Sequence, residues 1–264
     1  MRIAILAAGY SKFFPIFIDK PKCLYHLNGQ IQLERVILDA EQFVDDKDII
    51  VVGGYKHQYI QKYLREHHPQ IDFRVNEKYM QPAIYSFRKA IENVDDDVVF
   101  MFGDESISRK NIERIAASDR KLSILYHDNY YYYSLGIFKL RKDVLSIFND
   151  DKYLSMDSMK EIFSFANNGK EYDNSFSINS GVCIGYTMID IVRTIGNITK
   201  IEYPGNYTGT DIDFLHYDPN TEYLPDLDHI EDTDEYKHSF ALRFYSKVIS
   251  RCIKKALRLC RVNI

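Results

Sequence analysis

Ala7-Ala8-Gly9, Lys22 and Asp104 are the residues whose types and spacing could do chemistry together. Three small residues in a row let a backbone lie close against a bound group. The N–H groups of the loop they open (Leu6, Ala7, Ala8, Gly9, Tyr10 and Ser11) can then hold phosphate oxygens. Lys22 supplies a point positive charge for the same oxygens. Asp104 follows Gly103 at the end of the apolar run Val98 to Phe102, which would set a carboxylate beside that loop. A carboxylate there is a ligand for Mg²⁺ bridging phosphates, with Mn²⁺ as the second choice, because a hard cation takes oxygen ligands. The plainer alternative for Asp104 is a solvated turn acid. Glu105 lies one step along, points the other way in an extended chain and ranks lower. No Ser/His/Asp or Cys/His set competes, and the histidines show no metal spacing. His67-His68 sits at a helix end and reads as solvated, as does the triple acid Asp95-Asp96-Asp97.

The elements needed to position these groups alternate as a parallel sheet requires. Ile3 to Leu6 is long enough for one buried strand and ends at the small-residue loop. After Pro21-Lys22 come a short strand, Gly29 as a turn, and a helix from about Ile31. Asp48 to Val52 is a second buried strand, ended by Gly53-Gly54. His57 to His67 is an amphipathic helix with Ile60, Tyr63 and Leu64 on one stripe. Ile71 to Val75 is a strand, Pro82 opens a helix in its first turn, and Asp97 to Phe102 is another strand. Units spaced this closely predict an α/β fold with a doubly wound, mixed but mostly parallel sheet. From Lys121 the pattern turns β-rich, over Leu122–Tyr126 and Tyr133–Leu140. A helix follows over about Ser155 to Phe165, then a further strand-like stretch, Ser180–Tyr186, and a helix from Met188.

The order of these motifs resembles a known family. LAAG, a Pro-Lys about a dozen residues later, a turn glycine and a Leu-Glu-Arg helix are similar to the nucleotidyltransferases with a glycosyltransferase-A-like (Rossmann-like) fold. The bacterial CTP:phosphocholine type of cytidylyltransferase is the subfamily it resembles most. The resemblance continues through Gly54-Tyr55, Asn76-Glu77-Lys78-Tyr79, Ile84-Tyr85-Ser86 and Gly103-Asp104, covering most of the first half. It implies that Thr210-Asp211-Ile212-Asp213 returns a second carboxylate to the metal of Asp104, through Asp213 or, failing that, Asp211. The bland reading of that segment is an alternating edge strand. By the same resemblance Asn76, Gln81 and Ser86 read the base or acceptor, and Tyr85 would stack or close a cation pocket, although with 21 tyrosines in the chain a packing role is the better reading of it. Gly136 or Asn179 and Gly181 begin the acceptor strand. The family carries Gly-x-Arg after LAAG-x; here Ser11-Lys12-Phe13 stands there, so Lys12 would supply the charge without the bidentate fork.

What the resemblance implies is transfer of CMP from CTP to a small phosphate or phosphonate acceptor, such as phosphocholine, an aminoalkylphosphonate or phosphoglutamine, for capsule, lipopolysaccharide or head-group activation. An acceptor already anionic needs no general base, so Lys22, Lys12, the metal on Asp104 and Asp213, and the loop amides would carry the reaction. Two alternatives are a sugar-1-phosphate nucleotidyltransferase and a nucleotide-binding homologue that lost turnover with the arginine. A glycosyltransferase is more distant, since Gly103-Asp104-Glu105 lacks Asp-x-Asp spacing.

Composition narrows the setting. Hydrophobic residues make up 45% and charged residues 27%, ordinary for a globular protein. No apolar run approaches 18 residues, and the four cysteines are scattered without zinc spacing, which points to reduced thiols in a cytoplasm. Net charge is −4, but residues 1–238 hold 27 Lys/Arg against 38 Asp/Glu, an acidic body that argues against nucleic acid as a partner. The chain divides into a catalytic domain over 1–225 and an extension over 226–264. The extension is an acidic loop followed by a helix, residues 239–264, with one basic and one apolar side. That helix would dock on the acidic body or, peripherally, on the inner face of an anionic membrane.

Overall fold

A computed structural model describes residues 1–9, 20–105, 107–126, 137–166, 182–198, 207–217 and 233–234; for residues 156, 159, 163, 166 and 182–186 it describes the backbone alone. Seven strands form one mixed, mostly parallel sheet with helices on both faces. Its strands are β1 (Arg2–Ala7), β4 (Ile49–Gly53), β5 (Asp72–Val75), β6 (Val98–Phe102), β7 (Leu122–Tyr126), β8 (Ile137–Leu140) and β9 (Ile212–His216). The order across the sheet is β5-β4-β1-β6-β8-β7-β9, and β8 alone runs against its neighbours. β2 (His26–Leu27) and β3 (Gln30–Ile31) form a separate hairpin. Its turn, Asn28-Gly29, has positive φ at both residues (53° and 83°), the backbone that Asn-Gly adopts with least cost.

Successive strand residues point to opposite faces, so a strand covered on both sides must be apolar throughout. β1 shows this directly. Ala4 and Leu6 face a core shared with α3 (Ile84–Ile91), α5 (Met156–Ala166) and α6 (Val182–Gly196). Ile3, Ile5 and Ala7 face a second core, with α1 (Gln32–Glu41), α2 (His57–His67) and α4 (Arg109–Ala117). The first core is rich in rings: Phe87 stacks on Phe148 at 4.8 Å and Phe100 on Phe138 at 4.8 Å. At the edge strand β5, Arg74 donates to the carbonyls of Lys89, Ala90 and Glu92 and so caps the carboxyl end of α3.

Val182–Tyr186 is the first part of α6 rather than a strand. Short apolar runs have no period of their own, and here they extend into a 15-residue helix. Thr210–Leu215 does contain an edge strand, β9. Tyr133–Gly136 and the tail over residues 239–264 lie outside the described residues.

Candidate active site at the carboxyl edge of the sheet

The carboxyl ends of β1, β4 and β6 converge because almost nothing projects between them. Gly103 N donates to Leu6 O at 3.0 Å and Tyr55 N to Ala8 O at 3.1 Å. A Cβ on Gly54 would stand 2.5 Å from Tyr79 Cβ and 2.6 Å from Ala8 O, and one on Gly103 2.9 Å from Ala7 Cβ. These two glycines are therefore required by close approach. Gly9 differs: a Cβ there would meet nothing within 4 Å among the described residues. Gly9 is the last described residue before the loop that the sequence reads as phosphate-binding.

Lys22 opens a single 3₁₀ turn, Lys22–Leu24. Its ammonium forms an ion pair with the Asp104 carboxylate, and both side chains are mostly buried (17% and 15% exposed). The structure thus brings together two of the residues read from sequence as phosphate and metal partners. A third residue was missed. Gln32, the first residue of α1, is fully buried; its Nε2 donates to Asp104 O at 3.2 Å and its Oε1 has no hydrogen-bond partner among the described residues. A glutamine among the buried positions Leu33, Val36, Ile37 and Ala40 was the signal that could have found it. Next to Lys22, burial and then the Asp104 charge push the Cys23 thiol up to about 12, against the pull of Lys22.

Asn76 and Ser86 lie near the same edge but face each other. Asn76 Nδ2 donates to Ser86 Oγ at 2.9 Å, Lys78 N donates to Asn76 Oδ1 at 2.9 Å, and both side chains are buried. They tie the end of β5 to α3. Gln81 is exposed. Tyr85 carries Lys78 over its ring at 4.5 Å and Arg88 at 5.8 Å. With Asn76 it lines an open cavity of about 670 Å³ between β5 and α3, bounded also by Lys78, Arg88 and Asn149, which does not reach Asp104. The candidate site therefore rests on the convergence of chemical groups and not on this cavity.

Asp213 is not brought to Asp104. It pairs in register with Ser123 of β7, which is level with Lys139 of β8 and Val99 of β6. Asp104 lies five residues further along from Val99 and three strands across. At ~3.3 Å per residue and ~4.8 Å per strand, the two carboxylates are roughly 20 Å apart, too far for one metal ion. Asp211, the fallback, is paired with Lys121 at 2.9 Å at the same far edge. Among the described residues, Asp104 is thus the protein carboxylate of the set, with the adjacent Glu105 nearby in sequence. One carboxylate plus substrate phosphates is a sufficient Mg²⁺ site, and the unsatisfied Gln32 Oε1 beside it fits a site that completes itself on binding. Tyr10, Ser11, Lys12, Phe13, Gly136, Asn179 and Gly181 lie outside the described residues.

A family profile described as Domain of unknown function (DUF6564) matches residues 19–131, under half of the chain. No curated protein matches the sequence. The fold is shared with solved nucleotidyltransferase structures. The inositol-1-phosphate CTP transferase from T. maritima superposes with a TM-score of 0.59 at 15% identity, over 90% of this chain and 93% of that one. A nucleotidyl transferase from Methanothermobacter thermautotroptrophicus gives 0.53 at 17% identity, over 88% and 94%. HddC from Yersinia pseudotuberculosis, complexed with GMP-PN, gives 0.50 at 16%, over 92% and 99%. At these identities the likeness is one of fold.

Proposed function

We propose that this protein is a divalent-metal-dependent nucleotidyltransferase that moves CMP from CTP to a small phosphate or phosphonate acceptor and releases pyrophosphate. The observation that carries the reading is the meeting of Lys22 and Asp104 at the carboxyl edge of the sheet, where the Gly103 corner is bonded to Leu6 of β1. An acceptor oxygen bonds to the α-phosphorus of the triphosphate as the α–β bridging bond breaks, and pyrophosphate departs with that electron pair. Because the acceptor is anionic, no base is needed; the protein has to hold two anions in line and offset the charge developing on the leaving group. Lys22 is placed to offer its ammonium to the phosphates in exchange for the Asp104 carboxylate. Asp104 would hold Mg²⁺ or Mn²⁺, which when bound neutralises phosphate charge. Gln32 positions the Asp104 backbone through its carbonyl. Lys12 is the proposed second cation, and the catalytic unit spans residues 1–225 with 226–264 appended.

Cytosine and a phospho-acceptor are favoured by the motif order of the first half and agree with a CTP transferase among the fold neighbours. The test is pyrophosphate release with Mg²⁺, each of four nucleoside triphosphates, and a panel of phosphocholine, phosphonates, phosphoglutamine and sugar phosphates. Release with CTP and one small phospho-acceptor, absent in Asp104→Ala, supports the proposal. Release with a sugar phosphate alone moves the protein to NDP-sugar synthesis. A folded protein that binds nucleotide but releases pyrophosphate with no pair overturns an enzymatic reading.

A further inference from the structure

The amino edge of the sheet, opposite to Asp104, carries a group of side chains that the proposed reaction does not use. α1 ends at Glu41, the 3₁₀ turn Asp46–Asp48 leads into β4, and His68 follows the last residue of α2. These three segments meet around one imidazole, that of His68, which is 9% exposed. His68 Nδ1 lies 2.9 Å from Glu41 Oε1 and 3.9 Å from Asp46 Oδ2, and the three ligand-capable atoms all lie within 4.8 Å of one another. Ligands ~2.0–2.1 Å from a tetrahedral ion stand about 3.3 Å apart, and the spacing of these atoms falls around that value.

An independent feature is the other side of the ring. His68 Nε2 lies 2.8 Å from Glu34 Oε2, and the same oxygen accepts from the Tyr63 hydroxyl at 2.5 Å. A histidine ligand is commonly oriented in this way: a carboxylate holds one ring nitrogen, a second donor holds the carboxylate, and the remaining nitrogen is aimed at the metal. Three carboxylates, Glu34, Glu41 and Asp46, face this one imidazole. The groups facing the centre are Glu34 and Glu41 from α1, Asp46 from the turn, and Tyr63 and His67 from α2.

We propose that Glu41, Asp46 and His68 bind one first-row divalent cation, zinc in the first instance, as a clamp joining the ends of α1 and α2 to the start of β4. The set contains one imidazole and two carboxylates, which suits zinc, cobalt or manganese better than the all-oxygen demands of magnesium or calcium. The site stands apart from the nucleotide chemistry and does not depend on it.

The test uses the full-length chain, stripped with EDTA and titrated with zinc against a chromogenic chelator. One equivalent should bind in the micromolar range or tighter, more tightly as pH rises because the ion displaces protons. Glu41→Gln combined with Asp46→Asn should weaken binding at least tenfold while leaving circular dichroism unchanged, since both side chains are partly exposed. Glu34→Gln should weaken it about tenfold, and Asp104→Asn should leave it unchanged. Cobalt binding should give d–d absorption without a thiolate charge-transfer band, which separates this centre from the four cysteines. Absence of a stoichiometric site, binding retained in the double variant, or a thiolate band would each overturn the proposal.

Discussion

At the amino edge of the sheet, strand ends meet counter-charges. The Met1 ammonium lies 2.6 Å from Asp96, Arg2 3.3 Å from Asp48, and Lys139 3.3 Å from Asp97. Lys139 is buried and also donates to the carbonyls of Ala116 and Ser118, closing the end of α4. At the carboxyl edge, Ala7, Ala8, Gly9, Gly53, Gly54 and Gly103 replace such side chains, and one mostly buried pair, Lys22 with Asp104, stands among them. Charge at the first edge fastens helices and loops to strands. Small residues at the second let the strand ends and their loops approach closely around one cation and one anion. The difference separates scaffold from candidate chemistry without reference to any motif.

The sharpest way to break that division is to remove one acid from each edge. Asp104→Ala should lower pyrophosphate release by about 10³-fold or more, and Lys22→Ala by about 10²–10³-fold, as expected for groups that stabilise charge in a transition state. Asp213→Ala, at the opposite edge, should change turnover by no more than about threefold, which follows from its register with Ser123. Steady-state kinetics on the three purified variants checks this, and an Asp213→Ala loss as large as that of Asp104→Ala would dissolve the distinction between the edges.

Much of this division was legible in the residues. The end of β1, the Gly103-Asp104 corner, the Asn28-Gly29 hairpin and the alternation of buried strand with amphipathic helix each depend on neighbours within a few positions, where sequence carries the signal. What was not legible depends on pairing across long separations. The Asp211-Ile212-Asp213 spacing is visible, but which end of the sheet it occupies is set by β7–β9 pairing, some ninety residues apart. α4 shows only Ile112 and Ile115 as apolar buried positions, with Asn111 beside them, so its stripe is weak. His68 reads as a solvated helix end because the fold that buries it comes from α1 and the Asp46 turn; His67, its neighbour, is the exposed one. Asp96 and Asp97, though still partly exposed, pair with Met1 and Lys139, partners the sequence places far away.

A smaller effect tests the close approach at the carboxyl edge. Gly54→Ala forces a Cβ against Ala8 O and Tyr79 Cβ, of which the first is backbone and cannot rotate away. Destabilisation of about 1–3 kcal/mol is expected, read as a Tm drop of about 2–4 °C per kcal/mol for a chain of this size. Gly9→Ala, whose Cβ would meet nothing within 4 Å among the described residues, should leave Tm within a degree or two while weakening nucleotide binding. Equal Tm losses in both variants would mean that Gly9 is as tightly packed as Gly54.

The amino edge should respond to pH through Glu34. Burial alone would raise its carboxyl, but hydrogen bonds from Tyr63 and His68, and the charges of His68 and His67, outweigh burial and hold it below the usual range. A group depressed in the folded state contributes stability above its unfolded value, near 4.3, and loses it as pH falls through the lower folded value. The stability difference between wild type and Glu34→Gln should therefore be constant from about pH 5.5 to 7 and shrink below pH 4, measured by urea unfolding. Glu41 has the opposite sign: its carboxyl is raised, so its contribution is present below the unfolded value and lost as pH climbs through the folded one. Glu41→Gln should consequently gain on wild type as pH rises, unless zinc is present, in which case that order reverses.

The smallest expected effect lies at Cys23, where the carboxyl edge reports on its own electrostatics without any substrate. Burial keeps the thiol protonated, with Asp104 adding to the rise and Lys22 opposing it, and a protonated thiol is a poor nucleophile. At pH 8 iodoacetamide should leave Cys23 unmodified in the folded protein and modify it on unfolding, as read by peptide mass spectrometry. Asp104→Asn removes the raising charge and leaves the Lys22 ammonium unopposed beside the sulfur, so alkylation of Cys23 should accelerate severalfold. Lys22→Ala should slow it. If both substitutions change the rate in the same direction, the thiol is responding to loosened packing, and Lys22 and Asp104 do not act on it as the opposed charges that the proposed chemistry requires.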